Sequence, residues 1–206
     1  MRIKEMKIID IDKIFNAEFN KKYPIISCTA AVVGIICGVV LQAVGENVGN
    51  ETADIFSHFY TLNAARSVPE IFLSSFAVNM LIIAFLMFLG FSSVGFIFVY
   101  AAPLFKGLGI GSVCSYIYSA YLFNGVTYCA LLIFPASVLS LLAIILACNE
   151  SIQMSQDILR LIKNSGNAET KIRTDLYALR FAVFTAATAL SSLIYAVGTV
   201  LFFRIL

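Results

Sequence analysis

The sequence predicts an all-α protein: a polytopic transmembrane helical bundle of about five spans, one of them a broken helix. Three observations carry this reading. Of 206 residues, 60% are apolar and only 13% are charged, about half the charged share of a soluble domain. The mean hydropathy is +0.92. The charges are also confined to blocks, and between residues 71 and 149 the only one is Lys106. This composition excludes a soluble enzyme, a disordered chain and a disulfide scaffold. The net charge of +2 is too small to point to a nucleic-acid partner.

The elements follow in order. Residues 1–22 mix six basic side chains with four acids and lack the apolar core of a signal peptide. Ile3, Met6, Ile9, Phe15 and Phe19 can share one face, so a cytoplasmic amphipathic helix on the inner membrane surface is expected. Residues 23–206 read as a single transmembrane helical domain. Crossing ~30 Å of hydrocarbon takes ~20 apolar residues, because lipid offers a backbone no hydrogen bonds. Residues 24–44, 71–89, 126–148 and 177–203 meet that length. Residues 94–122 are too long for one plain span and carry Pro103, Lys106, Gly107, Gly109 and Gly111 near the middle. They read as one broken helix with arms 94–105 and 107–122. Pro135 removes a backbone donor from the next span and should kink it. Residues 150–175 are expected to form a cytoplasmic helical loop, with Ile152, Leu159 and Ile162 on one face and a turn at 164–167.

Basic residues set the orientation. The N-terminal block holds six Lys/Arg, the 45–70 loop only Arg66 against four acids, and the 150–175 block Arg160, Lys163, Lys171 and Arg173. The N-terminus and 150–175 are therefore expected in the cytoplasm of a cell-membrane protein, and 45–70 outside. The broken helix must then make one net crossing, since a re-entrant hairpin would put the basic 150–175 segment outside.

Candidate chemistry is sparse. The five cysteines, Cys28, Cys37, Cys114, Cys129 and Cys148, all fall in predicted spans without C-x-x-C spacing, as expected of buried free thiols. The one histidine, His58, lies in the external loop. No metal site and no cofactor are expected. The spans lack the His, Asp or Glu that a nucleophile's base or a carboxylate pair would need, and only Lys106 could serve Ser112 or Ser115. The chain is therefore expected not to be an enzyme. Lys106 itself has two readings. It is a substrate or ion site at a broken helix, or a lysine that snorkels from a helix break, its ammonium held by carbonyls freed near Pro103. Gly107 and Gly111 are four apart, as are Gly34 and Gly38, a spacing that lets helix backbones approach within a bundle or across a homo-oligomer.

Residues 71–154 resemble the stage II sporulation protein M family of bacterial multi-pass membrane proteins. The carrying motifs are Leu89-Gly90-Phe91-Ser92-Ser93-Val94-Gly95, then Phe105-Lys106-Gly107-Leu108-Gly109-Ile110-Gly111, then Asn124-Gly125, then Leu132-Ile133-Phe134-Pro135. The resemblance implies a non-enzymatic role as membrane scaffold or anchor for peptidoglycan-remodelling proteins during engulfment. The alternative is a permease-like subunit of a small-solute transporter, with a polar cavity lined by Lys106, Asn79, Ser112, Ser115 and Tyr116. Partners beyond the lipid bilayer are thus expected to be membrane or extracytoplasmic proteins.

The topology is directly testable with an impermeant thiol reagent on intact cells. A cysteine engineered at Ser57 should be labelled from outside, and one at Ser165 only after permeabilisation. External labelling at position 165 overturns the five-span arrangement.

Overall fold

A computed structural model describes residues 22–48, 67–92, 95–163 and 174–205. The expected N-terminal helix falls on residues 1–22, of which only Lys22 is among them. Helices α1 (Lys22–Val48), α2 (Val68–Gly90), α3 (Gly95–Phe98), α4 (Ala101–Tyr128), α5 (Phe134–Lys163) and α6 (Thr174–Ile205) account for nearly all of it, with a π-helical turn at Cys129–Ile133. Among the described residues there is no strand. Five segments are long and apolar enough to cross a membrane.

The long helices alternate in direction. Tyr23 bonds to Gln156, Ser155 Oγ to the Ser92 carbonyl at 2.6 Å, and Tyr177 OH to the Met87 carbonyl at 3.0 Å. The N-terminal ends of α1, α3 and α6 therefore gather with the C-terminal ends of α2 and α5 at one face of the bundle. The chain reverses toward the end of α4. Ile117 and Ile133 form one buried cluster, although sixteen straight helical residues would hold them ~24 Å apart. Gly125 lies against the Ile117 carbonyl, where a Cβ would collide. The chain thus reverses between Ile117 and Gly125, ahead of Asn124-Gly125.

The broken helix is real, but the break falls earlier than expected. The chain turns at Val99–Tyr100, and α4 runs without interruption through Gly107, Gly109 and Gly111. Pro103 is fully buried in the first turn of α4, where no intrahelical N–H bond is needed. The glycines stay helical because they pack. A Cβ on Gly34 would strike the Leu104 carbonyl, on Gly38 the Leu108 carbonyl, on Gly107 the Ala31 carbonyl and on Gly111 the Ile35 carbonyl. These four positions let α1 and α4 lie parallel with backbones in contact, the close approach that small residues permit in lipid. Ser112 Oγ ties the seam by donating to the Gly38 carbonyl at 3.2 Å. Gly109 is on a different face and meets nothing within 4 Å.

The fourth span also departs from expectation. Pro135 sits on the exposed side two residues beyond the π-helical turn. That wider turn absorbs the missing donor and the ring's bulk, which accounts for the irregularity. The helix then continues to Lys163, well past the Cys148 at which polarity suggested an end. Asn149, Ser151 and Ser155 are wholly buried, and Glu150 nearly so. Ser151 Oγ donates to the Leu86 and Ala147 carbonyls at 2.8 and 2.9 Å. Arg180 Nη1 meets Glu150 Oε2 at 2.6 Å. Residues 150–163 therefore continue the same helix as residues 134–149 rather than forming a separate one; the expected turn at 164–167 lies outside the described residues. Ile152 is buried while Leu159 and Ile162 are exposed, so these three do not share one covered face.

Between these polar contacts runs an apolar core of Leu86, Val99, Ile144, Cys148, Ile152 and Phe181. Ile25, Val32, Ile36, Val40 and Phe88 point outward, where hydrocarbon would solvate them. Cys28 and Cys37 share that outward face, so these two thiols are exposed rather than buried.

The glycine seam predicts unequal glycine variants. Gly38→Leu or Gly107→Leu should lower the unfolding free energy of detergent-solubilised protein by about 1–3 kcal/mol or more through overpacking. Gly109→Ala should be neutral or stabilising by up to ~1 kcal/mol. Equal losses at all three positions, read by thermal unfolding, would exclude the seam.

Candidate functional site

A cavity of about 540 Å³ lies between α2, α4, α5 and α6, starting near mid-span and reaching toward the end of the bundle that holds Ser67. Three helices place its polar groups. Asn79 is the middle of α2, Lys106 is in the second turn of α4, and Ser192, next to the lining residue Ser191, is mid-way along α6. Lys106 Nζ donates to Asn79 Oδ1 at 2.7 Å. Asn79 Nδ2 donates in turn to Ser192 Oγ at 3.1 Å, and Ser75 Oγ donates to the same hydroxyl at 3.4 Å. The chain of bonds satisfies both ends of a buried amide. It also holds the ammonium inside the bundle, so Lys106 does not snorkel, and its partner is a side-chain amide rather than a carbonyl near Pro103.

Of the residues expected to line a polar cavity, Lys106 and Asn79 do so. Ser112 is turned to the opposite side of α4, onto the Gly38 carbonyl, which takes it away from Lys106. Ser115 and Tyr116 lie outside the lining, and Tyr116 packs beside Ile117 and Ile133. Gly109 lines the cavity, whereas Gly107 and Gly111 face α1. Pro103 and Pro135 shape helix ends at a distance from it. The structure adds Ser74, Ser75, Ser137, Ser140, Ser191 and Tyr195 to the lining. Sequence reasoning missed these serines because single hydroxyls in apolar spans usually bond to their own helix. The signal was their spacing, with Ser137 and Ser140 one turn apart and Ser74-Ser75 and Ser191-Ser192 as doublets. The Glu150–Arg180 pair was also missed, because its members stand 30 residues apart on different helices and nothing local links them.

Most of the wall is apolar, including Ile71, Val78, Ile82, Ile110, Val113 and Ile133. The arrangement can hold a ligand with one anionic or hydrogen-bond-accepting group against Lys106 and hydrocarbon elsewhere. Among the described residues no cluster of three His, Cys, Asp or Glu could hold a metal ion.

Five apolar helices enclosing a buried lysine–amide network define a multi-pass α-helical membrane protein. The family model for stage II sporulation protein M matches residues 27–205, and the chain belongs to that family. No curated protein and no solved structure matches it.

The lysine–amide bond should appear as coupling between two variants. Asn79→Leu leaves the ammonium without its acceptor and should destabilise the protein by about 1–3 kcal/mol. Adding Lys106→Met should recover most of that loss in thermal unfolding. Strict additivity of the two changes would mean the bond contributes nothing.

Proposed function

We propose that this protein is a non-enzymatic scaffold in the cell membrane that anchors a peptidoglycan-remodelling complex of the kind used in sporulation engulfment. The observation that carries the reading is the family match over residues 27–205. The architecture is consistent with it: a parallel glycine seam and interhelical serine bonds make a stiff platform, and outward apolar faces on α1 and α2 are available to other membrane segments. Its partners on this reading are membrane or extracytoplasmic proteins that act on the cell wall, with the N-terminus on the cytoplasmic side. A homo-oligomer is not required by the glycine motifs, because both pairs are used within the chain.

A second reading, a permease-like subunit for a small solute, is favoured by one observation, the cavity at Lys106. The two readings differ on Lys106→Met. In a scaffold the change removes a buried charge, eases insertion by about 2–3 kcal/mol, and leaves accumulation and partner recruitment intact. Proteins co-purifying from native membranes should be wall-remodelling factors, and the variant should retain them. A variant that accumulates, keeps its partner and still loses all cellular function would move the assignment to the permease, as would co-purification of a transport ATPase.

A further inference from the structure

Lys106 is a cation inside the bundle, and among the described residues no carboxylate is paired with it. Its ammonium is bonded to the neutral Asn79 amide. Two carboxylates of the neighbouring helices are engaged elsewhere: Glu150 pairs with Arg180, and Glu70 caps the exposed start of α2 by accepting the Ser67 N–H. A charge kept at such depth is costly without a partner, and its unpaired side faces the cavity.

The cavity has a shape to match. Helices α2 and α4 make little direct contact, and the Lys106–Asn79 bond bridges the gap between them. Val78 and Phe105, 55% and 67% exposed, belong to the lining and flank that gap, so the cavity opens sideways, toward the lipid. Gly109 borders it with open space where a side chain would stand. Unlike Gly107 and Gly111, it serves no helix contact, and a glycine inside a helix weakens it. What its missing side chain does here is keep the cavity empty.

We propose that the cavity binds one amphiphile from the bilayer, with a small anionic head, carboxylate or phosphate monoester, at Lys106 and a single hydrocarbon chain along the apolar wall. Of the lining serines, Ser75, Ser140 and Ser191 already donate within the protein, which leaves the Ser74 and Ser137 hydroxyls as further donors to such a head. The volume, about 540 Å³, lies within the ~300–1,000 Å³ of ligand cavities, and it is about that of a single turn of a helix ~10–12 Å across, too little for a partner helix. A small polar solute would leave the apolar wall uncovered. A choline head would bring a second cation toward Lys106.

Native mass spectrometry of the full chain in detergent tests this with three ligands of one chain type: oleate, oleoyl lysophosphatidate and oleoyl lysophosphatidylcholine. At least one of the two anionic ligands should bind one per chain, and which of them binds more tightly identifies a free fatty acid or a phospholipid as the source. The choline ligand should bind at least tenfold more weakly. Lys106→Met and the cavity-filling Gly109→Leu should each reduce anionic binding at least tenfold, and Gly109→Leu should do so with unchanged helical circular dichroism and thermal unfolding. Equal binding of the choline ligand, wild-type binding by folded Gly109→Leu, or no binding of either anionic ligand would each overturn the proposal. The measurement involves no protein partner, so its failure leaves the scaffold reading where it stands.

Discussion

Backbone contact between α1 and α4 is the constraint on which the rest of the bundle depends. Hydrocarbon gives no hydrophobic reward for bringing two apolar helices together, so association rests on packing and on interhelical hydrogen bonds. Gly34, Gly38, Gly107 and Gly111 remove the side chains that would hold the helices apart. The seam fixes the rotation of α4 about its own axis. With Gly107 and Gly111 turned to α1, Lys106 and Gly109 face α2 and the cavity. The position of the one isolated charge follows from where the glycines must be.

The second half of the molecule is held differently. Polar side chains on α5 and α6 carry the contacts that glycine carries on α1 and α4. Ser151 and Ser155 bond to carbonyls of the α2 terminus, Ser191 Oγ donates to the Ala136 carbonyl at 2.6 Å, and Arg180 pairs with Glu150. Such bonds are modest individually, ~0.6 kcal/mol on average in a membrane bundle. Their weight lies in direction. A serine must reach a particular carbonyl, so they select the register of α5 against α2 and α6. The buried ion pair adds specificity in the same sense, because either partner alone would be an uncompensated charge.

The lysine–amide network joins these two halves. Asn79 on α2 accepts from Lys106 on α4 and donates to Ser192 on α6, and the cavity lies beside this bridge. Packing alone would close the space between α2 and α4. It stays open because the bridge spans it and because Gly109 contributes no side chain. The run of residues 106–111 does three things in six residues: one residue supplies the charge, two the seam, and one the void.

The sequence by itself determined the class, the number of crossings and the family resemblance. These depend on composition and on the length of apolar runs, which the bilayer imposes on each segment separately. It also marked Lys106, since a single charge in a span stands out without any knowledge of neighbours. Where the broken helix breaks was decided by the tertiary structure. Pro103 and the glycines look like a break in one dimension, yet proline is accommodated in a first turn and glycine is held helical once α1 lies against it. The extent of α5 was decided in the same way. Asn149, Glu150 and Ser151 read as the end of a span because isolated polar groups cannot enter hydrocarbon, and only folding supplies the carbonyls that take up Ser151 and the guanidinium that pairs Glu150. The serines of the cavity belong with them: each is unremarkable in its own helix, and their convergence is a property of four helices packed together.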